Sequence, residues 1–266
     1  MNARARIGAA LTLGIVVMVS TVDTARSVEI EPNRPSISVN AKLVPPGGFQ
    51  IESGIAIGSE RKAGEPREQR FEIDVDLRVG VTSRLEIDVS DEPFVRLHGP
   101  DDDTGHGDIT LGFKYRFVEA TEGEAWPPHF GVKPFVKLPT ASAPIGSERP
   151  DFGLLLLATF ELPSQFSLDL NVGGVAVGQT RPNGYLGQAI AAASLSRTVT
   201  PGLSLFGEIF FNSRQERGGR DLLGVDAGAV YLVTRRIAVD LAAQTSLHGP
   251  GPDWVVRTGV SVLFGP

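Results

Sequence analysis

This 266-residue sequence contains no cysteine, and beyond its N-terminal region it has neither long apolar runs nor helical periodicity. Without cysteine, neither a disulfide framework nor a thiolate metal site can form. Beyond the N-terminal region no apolar run approaches the roughly 18 residues that mark a spanning helix. The formal charge of −6 argues against nucleic acid as a partner.

The N-terminal region has the layout of a secretory signal. Arg4 and Arg6 precede an apolar run from Ile7 to Val19, and small residues follow at Ala25 and Ser27. We therefore predict a cleaved signal peptide over residues 1–27, with an uncleaved N-terminal anchor as the alternative. Cleavage would remove three Arg and one Asp and change the formal charge from −6 to −8. An exported chain of this size without disulfides must be held together by a large sheet or by a membrane.

Strict alternation of apolar and polar residues is clearest in the stretch Phe71–Val89. A period of two indicates extended strands with one apolar and one polar face. The break at Thr82-Ser83 is short enough for a tight hairpin. Each arm is close to the roughly 9–11 residues that a tilted strand needs to cross a bilayer.

The same alternation recurs along the chain and predicts about twelve strands with no helical pattern between them. Besides the two arms of Phe71–Val89, the predicted strands are Phe49–Gly58, Gly107–Phe117, Phe130–Leu138, Phe152–Leu162, Phe166–Gly178, Leu186–Thr198, Leu203–Asn212, Leu222–Val233, Ile237–Leu247 and Trp254–Phe264. The segment between Asp91 and His106 is predicted to be a polar loop. Pro134 is expected to place its strand at an edge or a bulge.

Residues 28–48, which are rich in proline and glycine, predict a lead-in with at most a short strand at Ser36–Val44, either periplasmic or inside the lumen. Short breaks alternate with longer polar loops, which is typical of an outer-membrane barrel. Aromatic residues fall near both ends of the strands, as two interfacial girdles would require; Phe210 is assigned to one of them. The sequence thus predicts an all-β, antiparallel, up-and-down transmembrane barrel over residues 49–266.

Several phrases resemble a bacterial outer-membrane family described under the "MetA pathway of phenol degradation". They are Asn33-Arg34-Pro35, Val44–Glu52, Gly80–Glu86, Gly107–Tyr115 and Lys137–Thr140. The resemblance spans most of the chain after residue 27. It implies a barrel in the bacterial outer membrane with a transport role, and it supplies no catalytic residues.

If the apolar faces point outward, the alternate residues line the lumen. The predicted lumen residues are Glu72, Asp74, Asp76, Arg78, Arg84, Glu86, Asp88, Lys114, Arg116, Lys133, Lys137, Asp169, Glu208, Asp226, Asp240 and Arg257. Acidic residues on one part of the lumen wall and basic residues on the next part would create an electric field across the lumen that orients polar solutes. Alternatively, these charges pair across strands and fill a closed lumen. The sequence therefore predicts a passive channel or uptake barrel for small polar or aromatic solutes.

Three other classes stay open at this point. A non-conducting structural or surface-binding barrel would share the same strands, and so would a lipid-modifying enzyme, for which Ser246 near His248 is a weak signal. A soluble periplasmic β-sandwich could also alternate in this way. No catalytic residue, cofactor or metal ligand is assigned. The expected partners are outer-membrane lipid, the barrel-insertion machinery and a small solute, without nucleic acid.

The acidic loop at residues 101–108 has two interpretations. Clustered carboxylates suit a hard cation such as Ca²⁺, although the spacing is not that of an EF-hand. Solvated charge on an external loop explains the same residues and is the favoured interpretation.

Overall fold

The computed structural model describes residues 29–61, 66–99, 102–121 and 124–265, and the predicted signal peptide lies outside these ranges. Apart from one 3-10 turn at Pro163–Gln165, the regular structure described is β-strand. The strands are β1 (Phe49–Glu60), β2 (Glu68–Thr82), β3 (Leu85–His98), β4 (Asp103–Gly105), β5 (Ile109–Val118), β6 (His129–Leu138), β7 (Asp151–Leu162), β8 (Phe166–Gln179), β9 (Gly184–Thr200), β10 (Leu203–Asn212), β11 (Leu222–Thr234), β12 (Ile237–His248) and β13 (Trp254–Phe264).

Twelve long strands close into an antiparallel barrel, which confirms the predicted fold class. Each strand pairs with its neighbours in sequence, and β3 pairs directly with β5. The barrel closes where β1 pairs with β13, from Phe49 opposite Phe264 to Ser59 opposite Trp254. The short strand β4 is an addition that pairs with the outer part of β3. Within the described ranges, no helix has the length and apolar character needed to cross a membrane.

The predicted loop over Asp91–His106 is wrong in its first half, because β3 continues to His98. The ladder between β2 and β3 shifts register near Val75 and then resumes from Ile73 opposite Phe94 to Gln69 opposite His98. Such a bulge inserts an extra residue and breaks the apolar–polar alternation, so the pattern in the sequence stops before the strand does.

Pro134 lies inside β6, but the prediction that it places this strand at an edge or a bulge is wrong, because β6 pairs on both sides and keeps its register across Pro134. It stands opposite Leu154 of β7 in an unbroken ladder. On the other side, the pairs with β5 pass from Gly112–Phe135 directly to Tyr115–Val132. Because proline has no N–H to donate, the local interruption faces β5 while the pairing with β7 is kept.

The outer face of the barrel is apolar and exposed. Leu154, Val172 and Leu241 are 47%, 56% and 56% exposed, although each lies within a regular strand. A water-soluble protein rarely exposes large side chains so continuously, whereas acyl chains would cover them.

Aromatic rings pair near both ends of the strands. Phe49 lies 6.2 Å from Phe264 at the end with short turns, and Phe71 lies 5.9 Å from Phe94 towards the end with long loops. One girdle assignment is wrong: Phe210 is 3% exposed, because it shares the inner face of β10 with Glu208.

Candidate functional site

The chain before β1 folds back into the barrel, and we call Ile30–Gly48 the inserted segment. The Ile30 N–H donates to the carbonyl of Arg235, in the turn between β11 and β12, at 2.8 Å. The Gly47 N–H donates to the carbonyl of Gly80, next to the turn between β2 and β3, also at 2.8 Å. Both ends of the segment therefore lie at the short-turn end, and its middle reaches into the lumen.

Side chains of the wall accept hydrogen bonds from the backbone of the inserted segment. The acceptors come from five strands distributed round the barrel, so the segment is held on several sides. The bonds run from Arg34 N–H to Glu52 at 2.9 Å, Ile37 and Ser38 N–H to Glu208 at 2.8 and 2.6 Å, Val39 N–H to Asn171 at 2.7 Å, Ala41 N–H to Thr159 at 2.8 Å and Val44 N–H to Glu86 at 2.6 Å. These side chains replace the neighbouring strand that an extended segment normally needs.

Arg34 joins the inserted segment to two walls of the lumen. Its guanidinium forms ion pairs with Asp74 of β2 and, at 3.2 Å, with Asp240 of β12. Gly54 and Gly259 stand opposite each other between these strands, and a Cβ at either position would collide with the guanidinium. The glycine pair thus provides the space that the arginine occupies.

A buried ionic network lies on the inner face of β1, β2, β3 and β5. Arg78 donates to Glu86 at 2.9 and 3.1 Å and to Glu52 at 2.7 Å, and all three side chains are at most 1% exposed. The Lys114 ammonium lies 3.5 Å from Glu86 and donates to the carbonyl of Lys42 at 2.9 Å. Opposite charges that the sequence placed on separate sectors are therefore paired across strands, as the alternative interpretation expected.

Most other predicted lumen residues are bonded to nearby polar groups. The pairs are Lys133 with Asp88 at 2.9 Å, Lys137 with Asp151 at 2.5 Å, Glu72 with Arg70, Asp76 with Ser90 at 3.0 Å, Asp169 with Thr159 at 2.5 Å and Arg257 with Gln244. Two residues lie at the short-turn end: Arg84 is exposed in the turn after β2, and Arg116 donates to the Ser83 carbonyl at 3.0 Å.

Glu208 and Asp226 stand opposite each other on β10 and β11. Glu208 is satisfied by the inserted segment, including the Ser36 hydroxyl at 2.8 Å. Within the described part of the chain, neither oxygen of Asp226 has a hydrogen-bond partner, although the residue is 4% exposed. Flanking this pair, Phe206 lies over Gly228 and Phe210 over Gly224.

Cavities lie on both sides of the inserted segment. One of about 910 Å³ opens among the long loops and is lined by Lys137, Asp151, Gln188 and Arg220 among others. Another, of about 540 Å³, lies at the short-turn end between the inserted segment and the wall of β8, β9 and β10. Ser36 and Ser38 of the inserted segment line the second cavity, whereas the described lining of the first contains no residue of the segment.

Lys42 of the inserted segment is held by two carboxylates. Its ammonium lies 3.0 Å from Glu31 and 3.1 Å from Glu161. Burial alone would lower the pKa of Lys42, but the two carboxylates outweigh burial and raise the pKa above its usual value. The ammonium therefore stays charged and paired.

Sequence reasoning missed Arg34 and Glu52 as interior residues. Glu52 shares the polar face of β1 with Gln50, so extending the alternation rule to that strand would have found it. Arg34 has no such signal, because its partners Asp74 and Asp240 are 40 and 206 residues away in the sequence.

The residues considered above for enzymatic or metal-binding functions end strands or accept hydrogen bonds from the backbone. The predicted loop positions of His98 and His248 are wrong, since these residues end β3 and β12. Asp102 accepts from the Gly99 N–H at 3.0 Å, and Asp108 accepts from Ala141 and Ser147. Among the described residues, no group of three or more His, Asp or Glu side chains is arranged to hold a metal ion.

Comparisons with known proteins agree with this architecture. An outer membrane channel from Pseudomonas putida F1 is similar over 89% of this chain and 100% of its own, with a TM-score of 0.66 and 16% identity. The NanC porin is similar over 80% of this chain and 98% of its own, with a TM-score of 0.55 and 10% identity. The KdgM porin, solved in complex with disordered oligogalacturonate, covers 82% of this chain and 99% of its own, with a TM-score of 0.50 and 9% identity.

At these identities the structural likeness establishes the fold alone. Among the curated proteins, none matches this sequence. The family model described as "Putative MetA-pathway of phenol degradation" matches residues 32–264, which include most of the inserted segment and all the barrel strands. The chain belongs to this family.

Proposed function

We propose that the protein is a passive outer-membrane channel that takes up small polar or aromatic solutes and is narrowed by its inserted segment. The observation that carries the proposal is the pair of cavities, about 910 and 540 Å³, at opposite ends of one polar lumen. A barrel that served only as a scaffold would not need water-accessible space at both ends. The charged positions predicted from the sequence, apart from Arg84 in the exposed turn after β2, would supply the wall of this path, several of them as fixed ion pairs.

The likeness to channels and porins supports this reading, and the family membership is consistent with it. The exposed apolar outer face supports insertion into the bacterial outer membrane. In this proposal, export by a signal peptide cleaved near residue 27 precedes insertion. No arrangement among the described residues favours an enzyme: Ser246 and His248 share one strand, and no hydrogen bond joins them there.

Planar-bilayer recordings of the purified protein test the proposal. The full-length mature chain should give small single-channel currents, and a variant lacking residues 29–43 should give larger ones, because the deletion joins the two cavities. Heat-modifiable gel migration should be the same for both proteins, which controls for folding. If neither protein conducts and removal of the gene leaves solute uptake unchanged, the non-conducting barrel is the correct reading.

A further inference from the structure

The cavity of about 540 Å³ at the short-turn end has two chemically different sides. On the wall side, Ser167 stands opposite Ser196, and Asp169 stands opposite Ser194, on adjacent positions of β8 and β9. Residues directly opposite in an antiparallel pair have Cβ atoms about 5 Å apart, so these four side chains form one patch. Within the described residues, the three serine hydroxyls make no hydrogen bond to the protein, while Asp169 accepts only from Thr159.

Another part of the lining is apolar, beside the polar residues that the inserted segment contributes to the cavity. Ile30 is 2% exposed and belongs to a small hydrophobic cluster against which Val230 and Leu232 pack. The ring of Phe206 completes this apolar part. A ligand that reaches both parts would therefore meet hydrocarbon at one and free hydroxyl groups at the other.

Charge excludes anions from this cavity. Lys42 is already paired with Glu31 and Glu161, and Arg34 with Asp74 and Asp240. Glu29, Glu31 and Asp169 also line the cavity, and no described cation lies within ion-pair distance of Asp169. An anionic ligand would lose hydration beside these carboxylates and meet only cations that are already paired, which is unfavourable in a partly buried site.

We infer that this cavity binds small neutral molecules that carry two or more hydroxyl groups on one side and a hydrocarbon face on the other. The volume lies within the roughly 300–1,000 Å³ that small-molecule sites occupy. Ser194 and Ser196 donate to and accept from the ligand hydroxyls, and Asp169 accepts from one of them. This inference rests on the proposed channel function, since it names the solute class that would pause between the inserted segment and the short-turn end.

The test uses the full mature chain in detergent and a pair of six-carbon rings of similar size. Dissociation constants for trans-cyclohexane-1,2-diol and cyclohexanecarboxylate are measured by NMR titration, with empty micelles subtracted. We expect the diol to bind at least about tenfold more tightly, since the carboxylate must shed hydration beside Asp169. The double variant Ser194→Ala/Ser196→Ala should weaken diol binding about tenfold, the effect of two lost hydrogen bonds.

Ser261→Ala is the matched control, because Ser261 is an interior serine of β13 that does not line this cavity. It should bind the diol as the unaltered protein does. Equal affinity for the carboxylate, diol binding no greater than micelle partition, or full binding by the double variant would each overturn the inference. Conductance is measured separately. A protein that conducts but does not bind the diol would support the channel function and contradict this binding site. A protein that binds the diol but does not conduct would support the binding site and contradict the channel function.

Discussion

Glu208 and Asp226 lie directly opposite each other on β10 and β11, at 5% and 4% exposure, and only Glu208 has donors. A buried carboxylate without a partner beside a second carboxylate is unfavourable. Asp226→Asn removes the like charge and adds an amide that can donate to Glu208. We expect it to stabilise the barrel by about 1–2 kcal/mol, measured as a higher urea midpoint of unfolding.

Asp76→Asn is the control for that variant. Asp76 accepts from the Ser90 hydroxyl at 3.0 Å and lies near the cationic side chains of Arg78 and Lys133. Because Asp76 has a hydroxyl donor, which Asp226 lacks, neutralising Asp76 should give a smaller gain than Asp226→Asn. Stabilisation by both substitutions to the same extent would show that general charge reduction, and not the Glu208–Asp226 pair, is responsible.

Arg78 is expected to be the most costly interior charge to remove. Arg78→Met leaves Glu52 and Glu86 buried without their shared guanidinium. Breaking a buried pair on one side typically costs about 3–5 kcal/mol, and we expect a loss of this size in the urea titration. Arg84→Met, in the exposed turn after β2, should change stability by less than about 0.5 kcal/mol. Equal effects of the two substitutions would contradict the network described here.

Arg34→Ala should loosen the inserted segment and raise single-channel conductance. The variant leaves Asp74 and Asp240 without their common partner and removes the bridge between the segment and two walls. The matched control is Arg217→Ala, an exposed arginine between β10 and β11. An unchanged or smaller current in the Arg34 variant, with the control unaffected, would show that this bridge does not restrict the path.

Charge on the outer face is expected to be penalised according to depth. Leu156 lies mid-strand in β7 and is 50% exposed, whereas Leu247 is 58% exposed but next to the end of β12. An arginine near the bilayer midplane costs about 2–4 kcal/mol and one near the interface about 0–1 kcal/mol. Leu156→Arg should therefore lower the unfolding free energy in lipid vesicles well below that of Leu247→Arg. The same cost at both positions would argue that water, not lipid, covers this face.

Asp108 ties down the loop between β6 and β7. Partial burial opposes its ionisation, but hydrogen bonds from Ser147 and Ala141 outweigh burial and lower the pKa of Asp108. Because the pKa of Asp108 is lower in the folded than in the unfolded protein, ionised Asp108 contributes its full stabilisation above the ordinary Asp pKa of about 3.9. That stabilisation is lost as the pH falls from this value through the lower pKa of the folded protein. Amide protection factors in residues 139–150, corrected for the intrinsic pH dependence of exchange, should be lower at pH 3 than at pH 6, and Asp108→Asn should show the lower protection already at pH 6.

The strands could be predicted because the outer face has a single requirement. Each strand must present apolar side chains to lipid at every second position, and Leu203–Asn212 and Trp254–Phe264 have the bounds that this rule gives. The rule fails where a bulge changes which alternate residues face outward, as it does in β3. At Phe210-Phe211 both residues are aromatic, and only the parity set by Glu208 tells which ring points inward.

The interior was harder to predict because its partners are not local. Alternation identifies which charges face inward, but not that Arg78 binds Glu52 and Glu86 together. The inserted segment alternates polar and apolar residues over Ser36–Leu43, but its backbone bonds to side chains of the wall and not to a neighbouring strand. Its proline and glycine content indicated a lead-in, and nothing in the sequence of Ser36–Ala41 points to the acceptors that hold it.

The hydrogen bonds of the inserted segment imply an order of assembly. Ser38 bonds to a residue 170 positions later, and Arg34 to one 206 positions later. These acceptors stand round the segment only after β1 has met β13. The segment that precedes the barrel strands in the chain therefore docks last, and contacts of such long range form slowly. Substitutions in the segment should change the final, slow phase of maturation while leaving the rate of closure unaltered.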